Sequence, residues 1–128
     1  MNSNSAELSS LQQILEQMNR EGDFPFSALM DKDGFQIAYA VDDRKNLEKQ
    51  VAVIAFAQKT INQMRLEMGM NATKEVTVFD AEGQRLICRL FKVADYEVIL
   101  ACLVPHPNQP YRKIMNTTIK QISAAWKV

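Results

Sequence analysis

Three stretches of the chain place apolar residues at intervals of three and four, which is the spacing of an amphipathic helix. The first stretch predicts a helix over about residues 5–20. The second predicts a helix over about residues 44–68, since no Gly or Pro interrupts it before Gly69. The third follows Pro110, a residue type that suits the first position of a helix. The inner stripe predicted for this last helix consists of Tyr111, Ile114, Met115, Thr118, Ile122 and Trp126.

Five short stretches rich in β-branched and aromatic residues predict strands joined by tight turns. The first two, over about 24–30 and 35–41, meet at the turn Asp31–Gly34. Alternation along the second strand predicts one face that carries Phe35, Ile37, Tyr39 and Val41. The other three strands are predicted over about 75–79, 84–91 and 96–104.

The predicted order of elements is α-β-β-α-β-β-β-α. Consecutive strands are joined by short links, apart from the pair separated by the second helix, so the sheet is expected to be antiparallel. Helices at both ends and in the middle of the chain imply cover on both faces of the sheet. The pattern therefore predicts an α+β fold with a five-stranded antiparallel sheet between helices. A length of 128 residues fits one domain over 1–128.

Composition narrows the classes of function. Fifteen Lys and Arg balance fifteen Asp and Glu, so the cationic excess that nucleic-acid binding exploits is absent from the totals. The longest apolar runs, Val51–Ala57 and Val98–Val104, have seven residues each, whereas a membrane span needs about 20. The N-terminus also lacks the basic and apolar regions of a signal peptide. We expect a soluble, cytoplasmic protein that binds no nucleic acid and does not insert into membranes.

The balanced total hides an uneven distribution of charge. Residues 1–43 hold two cationic and eight acidic side chains, residues 44–74 hold six and two, and residues 75–128 hold seven and five. The cationic surplus therefore lies on and just after the second helix. Such a separation can steer an acidic protein partner toward that helix.

The chain has few residues that carry chemistry. One histidine, His106, and two cysteines are too few for a structural zinc site, and they lack CxxC or HxxxH spacing. The turn at Asp31–Gly34 resembles part of a calcium loop, but Leu29 and Ala40 would occupy the first ligand position and the bidentate glutamate position. Phosphate-loop, GxGxxG and GxSxG motifs are also absent. We expect no metal, no cofactor and no enzymatic activity.

Cys88 and Cys102 fall on the fourth and fifth predicted strands. The register predicted for this hairpin makes them neighbours on one face of the sheet. An intracellular setting favours a pair of reduced core thiols over a disulfide.

The second helix is apolar over more of its surface than one contact with a sheet requires. Its predicted core stripe consists of Leu47, Ile54, Ala57, Ile61, Met64 and Met68. Outside this stripe, Val53 and Phe56 would each forgo about 1.5–3 kcal/mol if left in water. The small residues Ala52 and Ala55 would let a second helix approach closely. Long loops of the same chain are the alternative cover, but the predicted connections are short. We expect a homodimer built on this helix.

The element order and three segments together resemble the roadblock/dynein light chain family. The segments are the opening hairpin Phe26–Ala38, the Ala- and Val-rich second helix, and the closing strand Val98–Val104 before a C-terminal helix. The resemblance covers about residues 5–127. It implies an αββαβββα domain related to profilin-like and longin folds, with no enzymatic activity of its own. It also implies dimers formed by the central helix and the third strand, which join two sheets into one.

The resemblance further implies a regulator of, or platform for, a small Ras-like GTPase. The family includes bacterial and archaeal partners of gliding-motility GTPases, as well as dynein and lysosomal scaffold subunits. This sequence carries no extra motor-binding segment, so the bacterial or archaeal type is the closer analogue. Such a regulator acts by binding and reordering switch segments of the GTPase, without inserting an arginine. The alternative is a structural scaffold or assembly subunit that has no effect on nucleotide turnover.

The family offers no catalytic residue to transfer to this sequence, so the expected site residues are all interface residues. The expected dimer interface consists of Ala52, Val53, Ala55 and Phe56 on the helix, with Val76 and Val78 on the third strand. The expected contacts to a partner are Lys49, Lys59 and Arg65. An equally weighted alternative is that these cations form a solvated face.

Overall fold

The elements follow the predicted order. A computed structural model describes the backbone of residues 2–42 and 47–126 and the side chains of residues 10–42 and 50–126. The elements are α1 (Asn2–Gly22), β1 (Phe26–Asp31), β2 (Gln36–Val41), α2 (Leu47–Met68), β3 (Glu75–Phe79), β4 (Arg85–Val93), β5 (Tyr96–Val104) and α3 (Arg112–Ala125).

The strands form one five-stranded sheet in the order β2-β1-β5-β4-β3. Every neighbouring pair in it is antiparallel. The first and last strands of the chain therefore lie side by side within the sheet, with β2 and β3 at the two edges. This arrangement confirms the predicted α+β fold.

Each face of the sheet has its own apolar core. On one face, α1 and α3 pack over the sheet, and this cluster is centred on Leu15, Leu100 and Met115, none of which is accessible to solvent. On the other face, α2 packs through Val51 and Ile54. We call these the α1/α3 side and the α2 side. The inner stripe predicted for the last helix is confirmed, since its residues are either buried in the α1/α3 cluster or packed against it.

Two hairpin turns share one local chemistry. The Oδ1 atom of Asp31 accepts hydrogen bonds from the backbone N–H groups of Asp33 and Phe35, both at 2.9 Å. The Oδ1 atom of Asp80 does the same for Glu82 and Gln84. In each turn the following glycine has a positive φ, +90° at position 34 and +89° at position 83. The aspartate therefore stabilises a turn whose left-handed residue is glycine.

A β-bulge overturns the predicted face of β2. Leu29 pairs with Ala38 and Met30 pairs with Gln36, so Ile37 is an extra residue between two rungs. Because the extra residue shifts the alternation, Ile37 packs on the α1/α3 side, whereas Tyr39 and Val41 pack on the α2 side. Phe35 lies outside the strand and is exposed. The four residues therefore do not share one face.

The prediction that the two cysteines are neighbours on one face is wrong by one residue. The turn after Val93 pairs that residue with Tyr96, which places Cys88 opposite Ala101 rather than opposite Cys102. A shift of one residue reverses the face. Cys88 lies in the α2-side cluster and Cys102 in the α1/α3 cluster, and both are free and buried.

Several predicted boundaries move by a few residues. The first helix runs from Asn2 to Gly22 instead of about 5–20, and α3 begins at Arg112 with Tyr111 as its N-cap, so Pro110 precedes the helix. The predicted start of the second helix at residue 44 lies outside the described residues.

Candidate protein-protein interface

Only the first half of α2 is seated on the sheet. Val51 and Ile54 are buried, whereas the side chain of Met64 is 57% exposed and that of Met68 is 73% exposed. The predicted core stripe is therefore wrong at Met64 and Met68, and the side chain of Leu47 lies outside the described residues. Where the stripe would continue along the inward face, the chain has polar residues: Gln58, Asn62 and Arg65. These side chains border a cleft that separates this half of α2 from β4 and β5.

The outward side of the first half of α2 carries large apolar side chains in contact with solvent. Val53 is 62% exposed and Phe56 is 74% exposed, and the small Ala52 beside them is exposed as well. The other small residue, Ala55, is half-buried because it faces the β1–β2 turn of its own chain. A Cβ atom at Gly34 would lie 2.5 Å from the Cβ atom of Ala55. Three of the four predicted helix residues therefore face outward together.

The edge strand β3 carries two further apolar residues of the predicted interface. Val76 and Val78 pair with Cys88 and Leu86, which belong to or pack against the α2-side cluster, so both valines lie on the α2 side of the sheet. Val76 is half-buried, and Val78 is 53% exposed. Within the described sheet, β3 pairs only with β4. Its other backbone edge is therefore open for pairing with another strand.

The exposed apolar surface is larger than the predicted dimer interface. The large exposed apolar residues outside the predicted interface are Phe35, Met64, Leu66, Met68, Met70, Phe79 and Tyr96. Helical spacing alone predicts the methionines of α2 in the core. The sequence signal for the exposure of the last turns of α2 is the polar pair Asn62 and Arg65 on the inward face.

The predicted cationic contacts lie at the cleft beneath α2. Lys59 and Arg65 both line it, and the side chain of Lys49 lies outside the described residues. The guanidinium of Arg65 donates hydrogen bonds to Oδ1 of Asn62, at 3.0 and 3.2 Å, and to the carbonyl oxygen of Met70 at 3.4 Å. Arg65 is therefore held in place by its own chain.

The two cysteine thiols are buried in the sheet. Burial raises the pKa of the Cys88 thiol to about 12, and burial also raises the pKa of Cys102. Both thiols are thus protonated at neutral pH and are poor nucleophiles. In the described ranges 2–42 and 47–126, no group of three or more His, Cys, Asp and Glu residues is placed to hold a metal ion. The helices in these ranges are also too short or too polar to cross a membrane.

Comparison with known proteins identifies the fold. No protein-family model matches the sequence. No curated protein matches it either. Solved structures do match at low sequence identity, and three of them are informative.

The gliding protein MglB from Thermus thermophilus is 14% identical, with a TM-score of 0.75, and the match covers 94% of this chain and 90% of that one. An MglB structure with a tetrameric arrangement is 14% identical, with a TM-score of 0.74 and the same coverage. A roadblock/LC7 domain from Streptomyces avermitilis is 10% identical, with a TM-score of 0.70, and the match covers 88% of this chain and 92% of that one. The likeness supports the resemblance carried by the sequence, and the chain has the roadblock fold.

Proposed function

We propose that this chain, as a single roadblock-type domain over 1–128, is a homodimeric regulator of, or platform for, a small Ras-like GTPase. It acts by protein-protein contact and has no catalytic activity of its own. The observation that carries the proposal is the exposed apolar surface on the outward side of α2, in a sheet whose edge strand β3 is paired on one side only.

A second copy of the chain is the occupant that fits this surface best. A two-fold dimer places the same patch on both sides of the interface, so Val53 and Phe56 would pack against their counterparts. Burial of such side chains stabilises by about 1.5–3 kcal/mol each. The small Ala52 lets the two helices approach, whereas Ala55 acts within the chain by seating α2 against the β1–β2 turn.

The open edge of β3 supports the same assembly. Two β3 strands related by a two-fold axis would pair antiparallel and join the two sheets, and main-chain hydrogen bonds would add to the helix contact. Val76 and Val78 would then lie in the seam between the sheets, on the side that faces the paired α2 helices. The structural likeness to an MglB with a tetrameric arrangement supports self-association of this fold.

A Ras-like GTPase is the partner that the resemblance favours. The likeness to MglB, a gliding protein, agrees with the bacterial or archaeal branch of the family. Lys49, Lys59 and Arg65 are the proposed contacts. Since Asn62 and Met70 already hold the guanidinium of Arg65, this residue contributes a fixed surface charge rather than a side chain inserted into the partner. A GTPase of this class works in the cytoplasm, and the proposal places the chain there too.

The decisive experiment adds the purified protein to a small Ras-like GTPase from the same organism. We expect a complex by size-exclusion chromatography and a change in the rate of GTP hydrolysis or nucleotide exchange. A Lys59→Glu variant should weaken the complex, whereas the matched variant Lys120→Glu on α3, on the opposite face of the sheet, should bind normally.

Two other outcomes have definite meanings. A complex with unchanged turnover would favour the scaffold or assembly subunit, which contacts partners without affecting the nucleotide. The absence of both binding and any effect on turnover would contradict the proposed partner.

A further inference from the structure

The cleft beneath the second half of α2 is a distinct feature of the surface. It has a volume of about 480 Å³ and lies between α2, the segment 72–74, strands β4 and β5, and the β1–β2 turn. The proposed dimer contacts of α2 lie elsewhere on the helix. At about 100° per residue, Arg65 is half a turn round the axis from Phe56, and Asn62 is half a turn from Val53. A helix contact through Val53 and Phe56 would therefore leave the part of the cleft that Asn62 and Arg65 border open.

The rim of the cleft is strongly cationic. Its five cationic side chains are Lys32, Lys59, Arg65, Lys74 and Lys92, and its two acidic side chains are Asp33 and Glu97. The four lysines are exposed. Among the residues whose side chains are described, the one ion pair joins Arg89 to Glu75, so no described carboxylate lies within 4 Å of a rim cation. The rim therefore presents a net positive charge around a concave surface.

The floor of the cleft is apolar. Leu90 and Ile99 line it, and both belong to or pack against the α2-side cluster. Leu90 is half-buried, so part of its side chain is available to a ligand. A ligand that matches both parts of the cleft carries an apolar group for the floor and several negative charges for the rim.

We propose that this cleft docks an acidic linear segment of a partner protein, in which an apolar side chain lies among Asp and Glu residues. The cations come from four separate parts of the chain and surround the rim, which suits carboxylates spaced along a peptide better than one compact phosphate group. In addition, α2 borders the cleft with its C-terminal half, where the helix dipole is negative and no free N–H groups are available to bind phosphate. The inference goes beyond the proposed function and holds with or without a GTPase partner.

The test uses fluorescence anisotropy with the full chain and a fluorescein-labelled synthetic peptide of alternating Asp and Glu with two central leucines. The control peptide has Asn and Gln in place of Asp and Glu. We expect the acidic peptide to bind, and to bind more weakly as NaCl rises from about 0.05 to 0.5 M, because salt screens exposed charges. The neutral peptide should not bind.

The matched variants assign the binding to the cleft. Lys74→Glu combined with Lys92→Glu should weaken binding about tenfold or more, because two attractive contacts become repulsive. Lys113→Glu combined with Lys120→Glu makes the same change in net charge on α3, on the other face of the sheet, and should leave affinity within about twofold. The milder pair Lys74→Ala and Lys92→Ala should give an intermediate loss, which guards against misfolding of the charge-reversed variant.

Three outcomes would overturn the inference. They are equal binding of the acidic and neutral peptides, equal loss of affinity in the cleft variant and the α3 variant, and tighter binding of single-stranded DNA or inorganic phosphate than of the acidic peptide. The cleft lysines 74 and 92 are not among the proposed GTPase contacts or dimer residues. A dimer that does not bind the peptide would therefore contradict the cleft inference and leave the proposed function standing. A monomer that binds the peptide would support the cleft inference and contradict the proposed homodimer.

Discussion

The two faces of the sheet differ in how completely the chain covers them. On the α1/α3 side, two helices bury large side chains such as Leu15, Met115 and Ile122. On the α2 side, a single helix is seated through Val51 and Ile54, whereas Met64, Leu66 and Met68 in its second half are exposed. The comparison shows that the chain buries the apolar stripes of its helices on the α1/α3 side, but leaves part of the apolar surface of α2 exposed. The apolar residues left over on the other face are the ones proposed to meet another protein.

The largest expected difference between the faces is in the effect of truncation. Leu15→Ala removes a side chain that is fully buried on the α1/α3 side and should lower the free energy of unfolding by about 2–5 kcal/mol. Met68→Ala, on the exposed end of α2, should change it by less than about 0.5 kcal/mol. Urea unfolding at one fixed protein concentration measures both values. Similar losses in the two variants would mean that the second half of α2 is as well covered as the α1/α3 side.

The second prediction concerns the contact between the β1–β2 turn and α2, which is made by Gly34 and Ala55. Gly34→Ala places a Cβ atom 2.5 Å from that of Ala55, at a φ of +90°. Left-handed backbone alone costs about 1–2 kcal/mol for a residue with a Cβ, and the steric overlap adds to this. Gly69→Ala is the matched control, since Gly69 also has a positive φ but no atom within 4 Å of its Cβ position.

We therefore expect Gly34→Ala to lower thermal stability more than Gly69→Ala does. Adding Ala55→Gly should recover part of the loss caused by Gly34→Ala, because it removes the atom that the new Cβ meets. If the two substitutions behave independently in a double-mutant cycle, the β1–β2 turn does not contact α2 as described.

The pH dependence of stability should carry a contribution from the thiol on the α2 side. Burial raises the pKa of Cys88 from 9.0 to about 12, so above pH 9 the unfolded chain loses a proton that the folded chain keeps. The stability that this thiol contributes is therefore fully present below pH 9 and is lost as the pH rises toward 12. The urea midpoint should fall further between pH 8 and about pH 10.5 in the native sequence than it does in Cys88→Ala. An equal fall in both would show that Cys88 is not shielded from water.

The smallest expected difference between the faces is in the rate at which their cysteine thiols react. In the single-thiol variants Cys102→Ala and Cys88→Ala, maleimide should label Cys88 faster than Cys102, because the α2 side has one helix to open and the α1/α3 side has two. Labelling followed by mass spectrometry at about pH 7.5 measures the two rates. A faster reaction of Cys102 would reverse the comparison between the faces.

Much of the fold could be predicted because local signals agree with one another. Apolar spacing marks the three helices, and the two Asp-x-x-Gly turns mark their hairpins through a carboxylate that accepts backbone N–H groups. The surplus of apolar residues on the second helix also indicates correctly that Val53 and Phe56 are exposed in the single chain.

Other features depend on shifts of one residue that no local pattern records. The bulge at Ile37 places this residue on the opposite face from Tyr39 and Val41, and the turn after Val93 places Cys88 and Cys102 on opposite faces of the sheet. The exposure of the last turns of α2 is indicated by the polar residues Asn62 and Arg65 in its inward face. The spacing of the methionines predicts a core stripe instead, because helical periodicity does not distinguish a buried apolar stripe from an exposed one.

The measurement that tests the account most directly is the mass of the chain in solution by multi-angle light scattering. The native sequence should have the mass of two 14.6 kDa chains, and Phe56→Glu should have the mass of one, since the substitution places a charge at the centre of the proposed helix contact. Ser123→Glu, an exposed position on α3, should remain dimeric. A monomeric native chain, or an unchanged dimer in Phe56→Glu, would contradict the proposal that the open α2 side is completed by a second copy.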